Sequence, residues 1–171
     1  MFPSQKIKIM TSDDISGLYV LTERARHATE TQYFEKALDE QDEDKRIVFV
    51  YHGDDGPCGY VHYNRFPQYV PFQRFGLPEI QDLFVCPDHR RHGIGTALVR
   101  HCEDQAMQDG HKEIGIGVGI IAEFGNAQRI YAEHGYIPDG SGVVFEREPV
   151  KSGEIRPMDD RLCMMLVKQL S

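Results

Sequence analysis

A hydrophobic run that leads through a basic turn into two closely spaced glycines limits the folds open to this chain. The run occupies Leu83–Leu98. Its pattern predicts a buried strand over Glu79–Val85, a tight turn, and an amphipathic helix over Gly93–Asp109. Such a strand-to-helix junction is typical of proteins that mix strands and helices around one core.

The start of that helix is predicted to bind an anion. The first N–H groups of a helix have no partner within the helix, and the helix dipole adds partial positive charge there. Gly93 and Gly95 let a ligand approach the backbone closely, and Arg90 and Arg91 add charged donors. A purely structural turn is the alternative. A dinucleotide-binding turn is disfavoured because Leu98 stands where a third glycine is needed, and the Gly-Lys-Ser/Thr of a Walker loop is absent from the segment.

The remaining sequence predicts alternating strands and helices. Helices are expected to begin at Ser12 or Asp13 and to span Glu30 to about Gln41 and Asn126–His134, whereas Arg65–Pro78 is predicted to be a long loop or an irregular strand extension. The predicted strands are Lys6–Met10, Ile47–Tyr51, Gly59–Asn64, Glu79–Val85, Glu113–Ile121, Gly142–Glu148 and Leu162–Lys168. This order predicts one α/β domain, residues 1–171, in which a mixed sheet carries helices on both faces.

Composition excludes several classes of protein. The chain has 171 residues, of which 40% are hydrophobic and 27% charged, as in a globular domain. Nineteen Lys and Arg against 27 Asp and Glu give a formal net charge of −8, which disfavours a general nucleic-acid binder. No apolar run approaches the roughly 18–20 residues of a membrane helix. We therefore expect neither nucleic acid nor a membrane as a partner.

Cysteines and histidines form no metal-binding pattern. The four cysteines lie at wide, irregular intervals without a Cys-x-x-Cys pair, and the eight histidines include no His-Glu-x-x-His. We expect reduced thiols and no metal. Because residues 1–8 lack an apolar signal segment, we also expect a cytoplasmic location.

The basic turn resembles a known cofactor signature. Residues 90–95 read Arg-x-x-Gly-x-Gly, similar to the (Gln/Arg)-x-x-Gly-x-(Gly/Ala) signature of the GNAT N-acetyltransferase superfamily, and Leu83–Arg90 fits that family's Leu-x-Val-x-Pro-x-x-Arg context. Downstream, Asn126–Tyr136 resembles the family's Asn-x-x-Ala-x-x-x-Tyr helix, which ends in Gly-aromatic. Two departures remove no required group: Arg91 stands where glycine is common, and Ala127 directly follows the asparagine.

The resemblance covers about Lys6 to Lys168 and implies a fold and a co-substrate. The fold is a mixed, mostly antiparallel central sheet splayed between strands 4 and 5, here Glu79–Val85 and Glu113–Ile121. The co-substrate is acetyl-CoA, with its pantetheine arm in that gap and its pyrophosphate on the basic turn. The cofactor-binding residues implied are Phe84, Val85, Arg90, Arg91, His92, Gly93, Ile94, Gly95, Thr96, Asn126 and Tyr131.

The implied activity is that of an acyltransferase. The family moves an acetyl group from acetyl-CoA to a primary amine of a small molecule, or of a protein or peptide, by direct attack in a ternary complex. A non-catalytic acyl-CoA-binding regulatory module with the same fold is the alternative. In the family a backbone N–H, here of Val85 or Phe84, polarises the thioester carbonyl. The helix tyrosine, here Tyr131, protonates the leaving thiolate in many members, and a core aromatic is the alternative role for it.

Three candidates remain for the group that takes the proton of the amine. Glu79 occupies the position of the base in histone-acetylating relatives and is our first choice as catalytic residue, Asp82 is the second, and a water chain is the third. Gln81 stands where polyamine-acetylating relatives carry glutamate. Strand alternation puts Glu79 and Gln81 on one face and Asp82 on the other, unless a bulge intervenes.

The acceptor is expected to be a small cationic amine. The chain is acidic, the carboxylates of the fourth strand suit an ammonium group, and two segments, Arg24–Gln32 and Phe66–Phe75, are expected to shape its pocket. A homodimer is left open. The aromatic residues that either line this pocket or seal the core are Tyr63, Phe66, Tyr69, Phe72 and Phe75.

Overall fold

A computed structural model describes residues 6–25, 27 and 29–171 of the chain. The strands are β1 (Ile7–Ile9), β2 (Arg46–Gly53), β3 (Gly56–Asn64), β4 (Glu79–Val85), β5 (Glu113–Gly119), β6 (Ile137–Phe145), β7 (Glu148–Pro149) and β8 (Leu162–Gln169). The helices are α1 (Ile15–Arg24), α2 (Tyr33–Asp42), α3 (Val70–Phe75), α4 (Ile94–Gln108) and α5 (Gly125–Glu133).

The chain falls into two compact units. The first unit comprises the residues up to Arg65 together with Ile80–Asp104, and the second comprises Phe66–Glu79 and Gln105–Ser171. Each unit is built on its own run of hydrogen-bonded strands, in the order β1-β2-β3-β4 in the first and β5-β8-β6-β7 in the second.

The first unit buries the apolar sides of α1 and α2 against its strands. β1 pairs with β2, and β2 with β3, both antiparallel. A 3₁₀ turn, Ser12–Asp14, leads into α1, and the N-cap of α1 is Asp14 rather than the predicted Ser12 or Asp13. The turn begins with a capping box in which the Thr11 N–H donates to Asp14 Oδ2 at 2.8 Å. α2 begins at Tyr33 and not at Glu30. The buried cluster behind it includes Met10, Leu18, Leu21, Phe34, Val48, Val50, Tyr60 and Phe84.

The second unit is antiparallel throughout its paired strands. β5 pairs with β8, β6 with β8, and β6 with β7. β6 begins at Ile137, five residues before the predicted Gly142, and its register with β8 breaks between Pro138 and Val143. The predicted α/β class with mostly antiparallel strand pairing is confirmed by these pairs and those of the first unit. The splay between strands 4 and 5 stays a prediction.

One helix was not predicted. The segment Arg65–Pro78, expected to be a loop or an irregular strand, contains α3, which starts with proline in its first turn and ends at Gly76, where φ is +64°. Six residues are too few to show helical periodicity, which explains the wrong prediction. Phe72 of α3 is buried and lies over β5, where Gly115 leaves room for its ring.

Two further findings concern membrane-spanning helices and the cysteines. No helix among residues 6–25, 27 and 29–171 is both long and apolar enough to cross a membrane. All four cysteines are free thiols, and Cys58, Cys86 and Cys102 are buried.

The contact between α3 and β5 yields the first testable prediction. A Cβ on Gly115 would lie 2.1 Å from Cε2 of the buried Phe72 ring, so Gly115→Ala overpacks the second unit. We expect a loss of about 1–3 kcal/mol in the free energy of unfolding. Gly125→Ala is the matched control, because a Cβ there meets nothing within 4 Å. Urea titrations of both variants measure the effect, and equal midpoints would contradict it.

Candidate active site

The basic turn after β4 has the backbone geometry of an anion site. A short turn, Pro87–His89, is followed by left-handed conformations at Arg91 (φ +62°) and Gly93 (φ +79°). α4 then begins, and the Ala97 N–H donates to the Gly93 carbonyl at 2.9 Å. The N–H groups at 94–96 precede that bond and have no partner within the helix.

The charged side chains of this turn are exposed. Arg90, Arg91 and His92 all lie at the surface, and the Arg90 Nε donates to the carbonyl of Val85 at 3.0 Å. The structure thus brings the predicted residues 90–96 together at one helix start. A positive dipole end with two guanidinium groups beside it favours a phosphate.

The two glycines of the turn have different roles. Gly93 has a positive φ, a conformation that glycine adopts without a steric cost. A Cβ at Gly95 would lie 3.8 Å from Val85 Cγ2 and 4.0 Å from Leu83 Cδ2, which is ordinary contact. The packing therefore leaves room for an alanine at position 95.

The end of β4 distinguishes Val85 from Phe84 as the donor to a carbonyl. The Cys86 N–H is bonded to the Cys58 carbonyl of β3 at 3.0 Å. Because the N–H groups of successive strand residues point to opposite edges, the N–H of Val85 points away from β3. Val85 is half-buried, whereas Phe84 is buried with its ring stacked on Tyr60 at 5.5 Å. Of the two candidates, Val85 is therefore the one whose N–H lies on the edge of β4 opposite β3.

Asp82 interrupts the regular alternation of β4. Its φ is +51°, a left-handed conformation that costs a non-glycine residue about 1–3 kcal/mol. Its side chain is exposed, and the hydroxyl of Tyr33 donates to Oδ2 at 2.5 Å. The neighbouring Gln81 accepts a hydrogen bond from Asn64 Nδ2 at 3.1 Å. The backbone of β4 therefore departs from regular strand conformation at Asp82, the second-choice base.

Behind Asp82 lies a buried polar group that sequence reasoning missed. Nε2 of the fully buried His62 is 3.4 Å from the Tyr33 hydroxyl, and its Nδ1 is 2.9 Å from a guanidinium nitrogen of Arg46. Burial lowers the pKa of His62 to about 4, so the ring is neutral at neutral pH. Burial, reinforced by the Asp82 charge, raises the pKa of Tyr33. The signal in the sequence was a polar residue inside a hydrophobic strand.

Aromatic rings surround this polar group. Phe34 packs edge-on to Tyr33 and to Tyr60, with ring centres 5.0 and 5.3 Å apart, and His27 lies 4.7 Å from Phe84. The Tyr60 hydroxyl is buried and has no hydrogen-bond partner among the residues that the structure describes. Burial raises its pKa, so it remains a protonated donor.

The predicted aromatic wall is not one surface. Tyr69 and Phe72 are buried in the core of the second unit, with ring centres 4.9 Å apart, so for them the core-sealing alternative is correct. Phe66 and Phe75 are exposed, and Tyr63 is buried. Of the other predicted pocket segment, Arg24–Gln32, positions 26 and 28 lie outside the described residues.

Glu79 has a different environment from Asp82. It is fully buried, and its Oε1 is paired with the Arg147 guanidinium. Arg147 reaches it from the β6–β7 turn, where Glu146 and Arg147 both have positive φ (+50° and +71°). Glu79, the first choice of base, therefore has a cationic partner that lies 68 residues away along the chain. Its role as base stays a prediction.

The second family-like element forms α5 in the second unit. Tyr131 is 5% exposed and its ring centre lies 5.8 Å from that of Tyr136. Asn126 is exposed in the first turn, and Gln128 Nε2 donates to the Gly119 carbonyl at 2.7 Å, which ties α5 to the end of β5. Both roles predicted for Tyr131 fit this burial.

Metal ligands are not grouped in this region. Within residues 6–25, 27 and 29–171, no three His, Cys, Asp or Glu side chains lie together in an arrangement that could hold an ion.

Comparison with known proteins yields matches of family and of fold. The model of the acetyltransferase (GNAT) family matches residues 13–136. An uncharacterised N-acetyltransferase of Methanocaldococcus jannaschii is 28% identical over 123 residues, which are 67% of this chain and 53% of that protein. The chain thus spans about half the length of this curated relative.

Solved structures share the fold. An N-acetyltransferase from Staphylococcus aureus Mu50 has a TM-score of 0.70 at 15% identity, over 96% of this chain and 98% of that one. A ribosomal-protein-alanine N-acetyltransferase from Brucella melitensis has a TM-score of 0.69 at 18% identity, over 96% and 99%. At these identities the likeness is one of fold.

The basic turn yields the second prediction. Gly95→Glu places bulk and negative charge where a pyrophosphate would sit, and we expect it to abolish binding of coenzyme A in calorimetry. Gly95→Ala is the control: its Cβ makes only ordinary contacts, and binding is expected to persist. Normal affinity in the glutamate variant would remove the phosphate assignment.

Proposed function

The chain belongs to the GNAT acetyltransferase family, and from that premise we propose that it moves an acetyl group from acetyl-CoA to the primary amine of a small cationic molecule. The observation that carries the acceptor part is Asp82, an exposed carboxylate on a strained kink of β4 beside an aromatic cluster. Strained backbone is retained where the rest of the structure enforces it, often at functional sites. A module that only bound acyl-CoA would have no use for this carboxylate.

The proposed cofactor contacts follow the geometry of the first unit. The pyrophosphate lies on the N–H groups at 94–96, with Arg90 and Arg91 beside it. The Val85 N–H, which points away from β3, donates to the thioester carbonyl and stabilises the oxyanion that develops there. Asn126 is proposed to contact the cofactor from α5.

Acetyl transfer also requires two proton movements. The amine nitrogen attacks the thioester carbon, the C–S bond breaks, and the electron pair leaves on sulfur. In this proposal Tyr131 donates its phenolic proton to that thiolate and regains, through solvent, the second proton that the attacking nitrogen loses as the amide forms. The ammonium of the acceptor loses its proton to Asp82, and the exposed carboxylate passes it to water, so that the products are an amide, a thiol and one proton.

The acceptor is proposed to bind as an ammonium ion. A carboxylate beside aromatic faces suits a cation, through ion pairing and cation–π contact worth about 0.5–2 kcal/mol. A free alkylammonium has a pKa near 10, as lysine does, so only a small neutral fraction is present at neutral pH. Binding next to Asp82 both recruits the charged form and provides a group that takes its proton.

The third prediction tests this function directly. Purified protein with acetyl-CoA should release free thiol with polyamines or arylalkylamines, faster as the pH rises toward the pKa of the amine. Amines that carry carboxylates should be poor acceptors, because Asp82 repels them. Gly95→Glu is the inactive control. Binding of coenzyme A without thiol release from any amine would favour the regulatory alternative, and preference for an anionic amine would contradict the cationic acceptor.

The fourth prediction concerns the general acid. Tyr131→Phe should keep the fold and the affinity for coenzyme A but lower kcat on the order of 100-fold, as expected for loss of a general acid. Tyr136→Phe is the matched control, since this buried ring packs against Tyr131 and has no catalytic role in the proposal. An unchanged kcat in folded Tyr131→Phe would leave Tyr131 as a core aromatic.

A further inference from the structure

We propose that Tyr33 is a positioning residue for Asp82, aimed at it by a one-directional chain of hydrogen bonds that starts at Arg46 and passes through His62. The proposal rests on the proposed function in that Asp82 receives the acceptor amine. It adds three residues, from α2, β2 and β3, that no family motif in the sequence marks.

The direction of the hydrogen bonds follows from the chemistry of Arg46, where they start. A guanidinium group can only donate hydrogen bonds. Because a terminal nitrogen of Arg46 lies 2.9 Å from His62 Nδ1, that ring nitrogen must be the acceptor and carry no proton. The single proton of the neutral ring is therefore on Nε2, which faces the Tyr33 oxygen at 3.4 Å.

The second half of the chain is then determined. With its oxygen accepting from His62, the Tyr33 hydroxyl directs its own proton to Asp82 Oδ2 at 2.5 Å. Oδ1 has no hydrogen-bond partner among the residues that the structure describes, and the side chain is exposed. One oxygen of the carboxylate is thus held by the protein, and the other is presented to a ligand.

Burial fixes the hydrogen-bond partners in this arrangement. His62 is fully buried, so neither of its ring nitrogens can exchange its partner for water. The charged and titratable groups that face the chain are Arg46, the Glu40 carboxylate paired with it, Asp82 and the Tyr60 hydroxyl. The low pKa of His62 and the high pKa of Tyr33 keep the chain in one protonation state at neutral pH.

The hydrogen bonds from Arg46 to Asp82 cannot carry the proton of the amine away. Transfer from Asp82 through Tyr33 and His62 would have to end on Arg46, which has no lone pair to accept it. Tyr33 therefore orients the carboxylate and stabilises its anion, and the proton leaves Asp82 directly to solvent. This makes Tyr33 a residue that acts through Asp82 rather than on the substrate.

The fifth prediction follows from this role. Tyr33→Phe should lower kcat/KM for the amine about 10- to 100-fold, the loss expected for one hydrogen bond to a charged group. The KM for acetyl-CoA should not change. Adding Tyr33→Phe to Asp82→Asn should cause no further loss, since the carboxylate it positions is already gone.

A matched control separates positioning from helix packing. The Tyr19 hydroxyl donates to Glu35 Oε2 at 2.6 Å, a tyrosine–carboxylate bond in the same unit and outside the chain. Tyr19→Phe should leave kcat/KM for the amine unchanged. Loss of the same size in both variants, wild-type kinetics in Tyr33→Phe, or full additivity with Asp82→Asn would overturn the proposal.

The direction of the chain has a test that needs no acetyl transfer. Nitrogen NMR of protein labelled with ¹⁵N-histidine, with the His62 signals assigned by their loss in His62→Gln, should show Nε2 protonated and Nδ1 bare at neutral pH. A proton on Nδ1 would contradict the proposed direction of the hydrogen bonds. If the expected tautomer is found but the protein acetylates no amine, the hydrogen-bond chain is supported and the proposed function is contradicted.

Discussion

The hydrogen bond from Tyr33 to Asp82 compensates for a backbone conformation that β4 would otherwise avoid. A non-glycine residue with a φ of +51° inside a strand is strained, and a charge-assisted hydrogen bond of 2.5 Å is the contact that holds it there. The kink turns the carboxylate outward to solvent. It also precedes the regular segment that ends at Val85, whose N–H points away from β3. One strand therefore supplies the carboxylate and the amide donor.

Two carboxylates of β4 show why net charge does not identify a cation site. Glu79 is buried and neutralised by Arg147, whereas Asp82 is exposed and receives only a neutral donor. The formal charge of −8 describes the field of the whole chain, which bears on solubility and encounter rates. In the proposed function the acceptor ammonium pairs with Asp82, whereas Glu79, three residues earlier, already has a cationic partner.

The parts of the molecule that local sequence determines were predictable. The strand, turn and helix around Gly93 follow from an apolar run and glycine spacing, and the structure has them within one or two residues of the expected bounds. The partners of Glu79 and Asp82 were not predictable, because Arg147 and Tyr33 lie 68 and 49 residues away along the chain. A bulge was allowed for at Asp82, but periodicity cannot say whether a strand contains one.

Buried His62 ties the site to the response of the fold to acid. Its pKa is about 4 in the folded protein, against about 6.5 for an exposed histidine. Between those values the unfolded chain binds a proton at this position that the folded chain does not. Stability is thus unaffected by this ring above pH 6.5, falls by up to about 1.4 kcal/mol for each pH unit between there and about pH 4, and loses no more through this ring at lower pH. The buried ring that donates to Tyr33 is therefore also a source of acid sensitivity for the folded state as a whole.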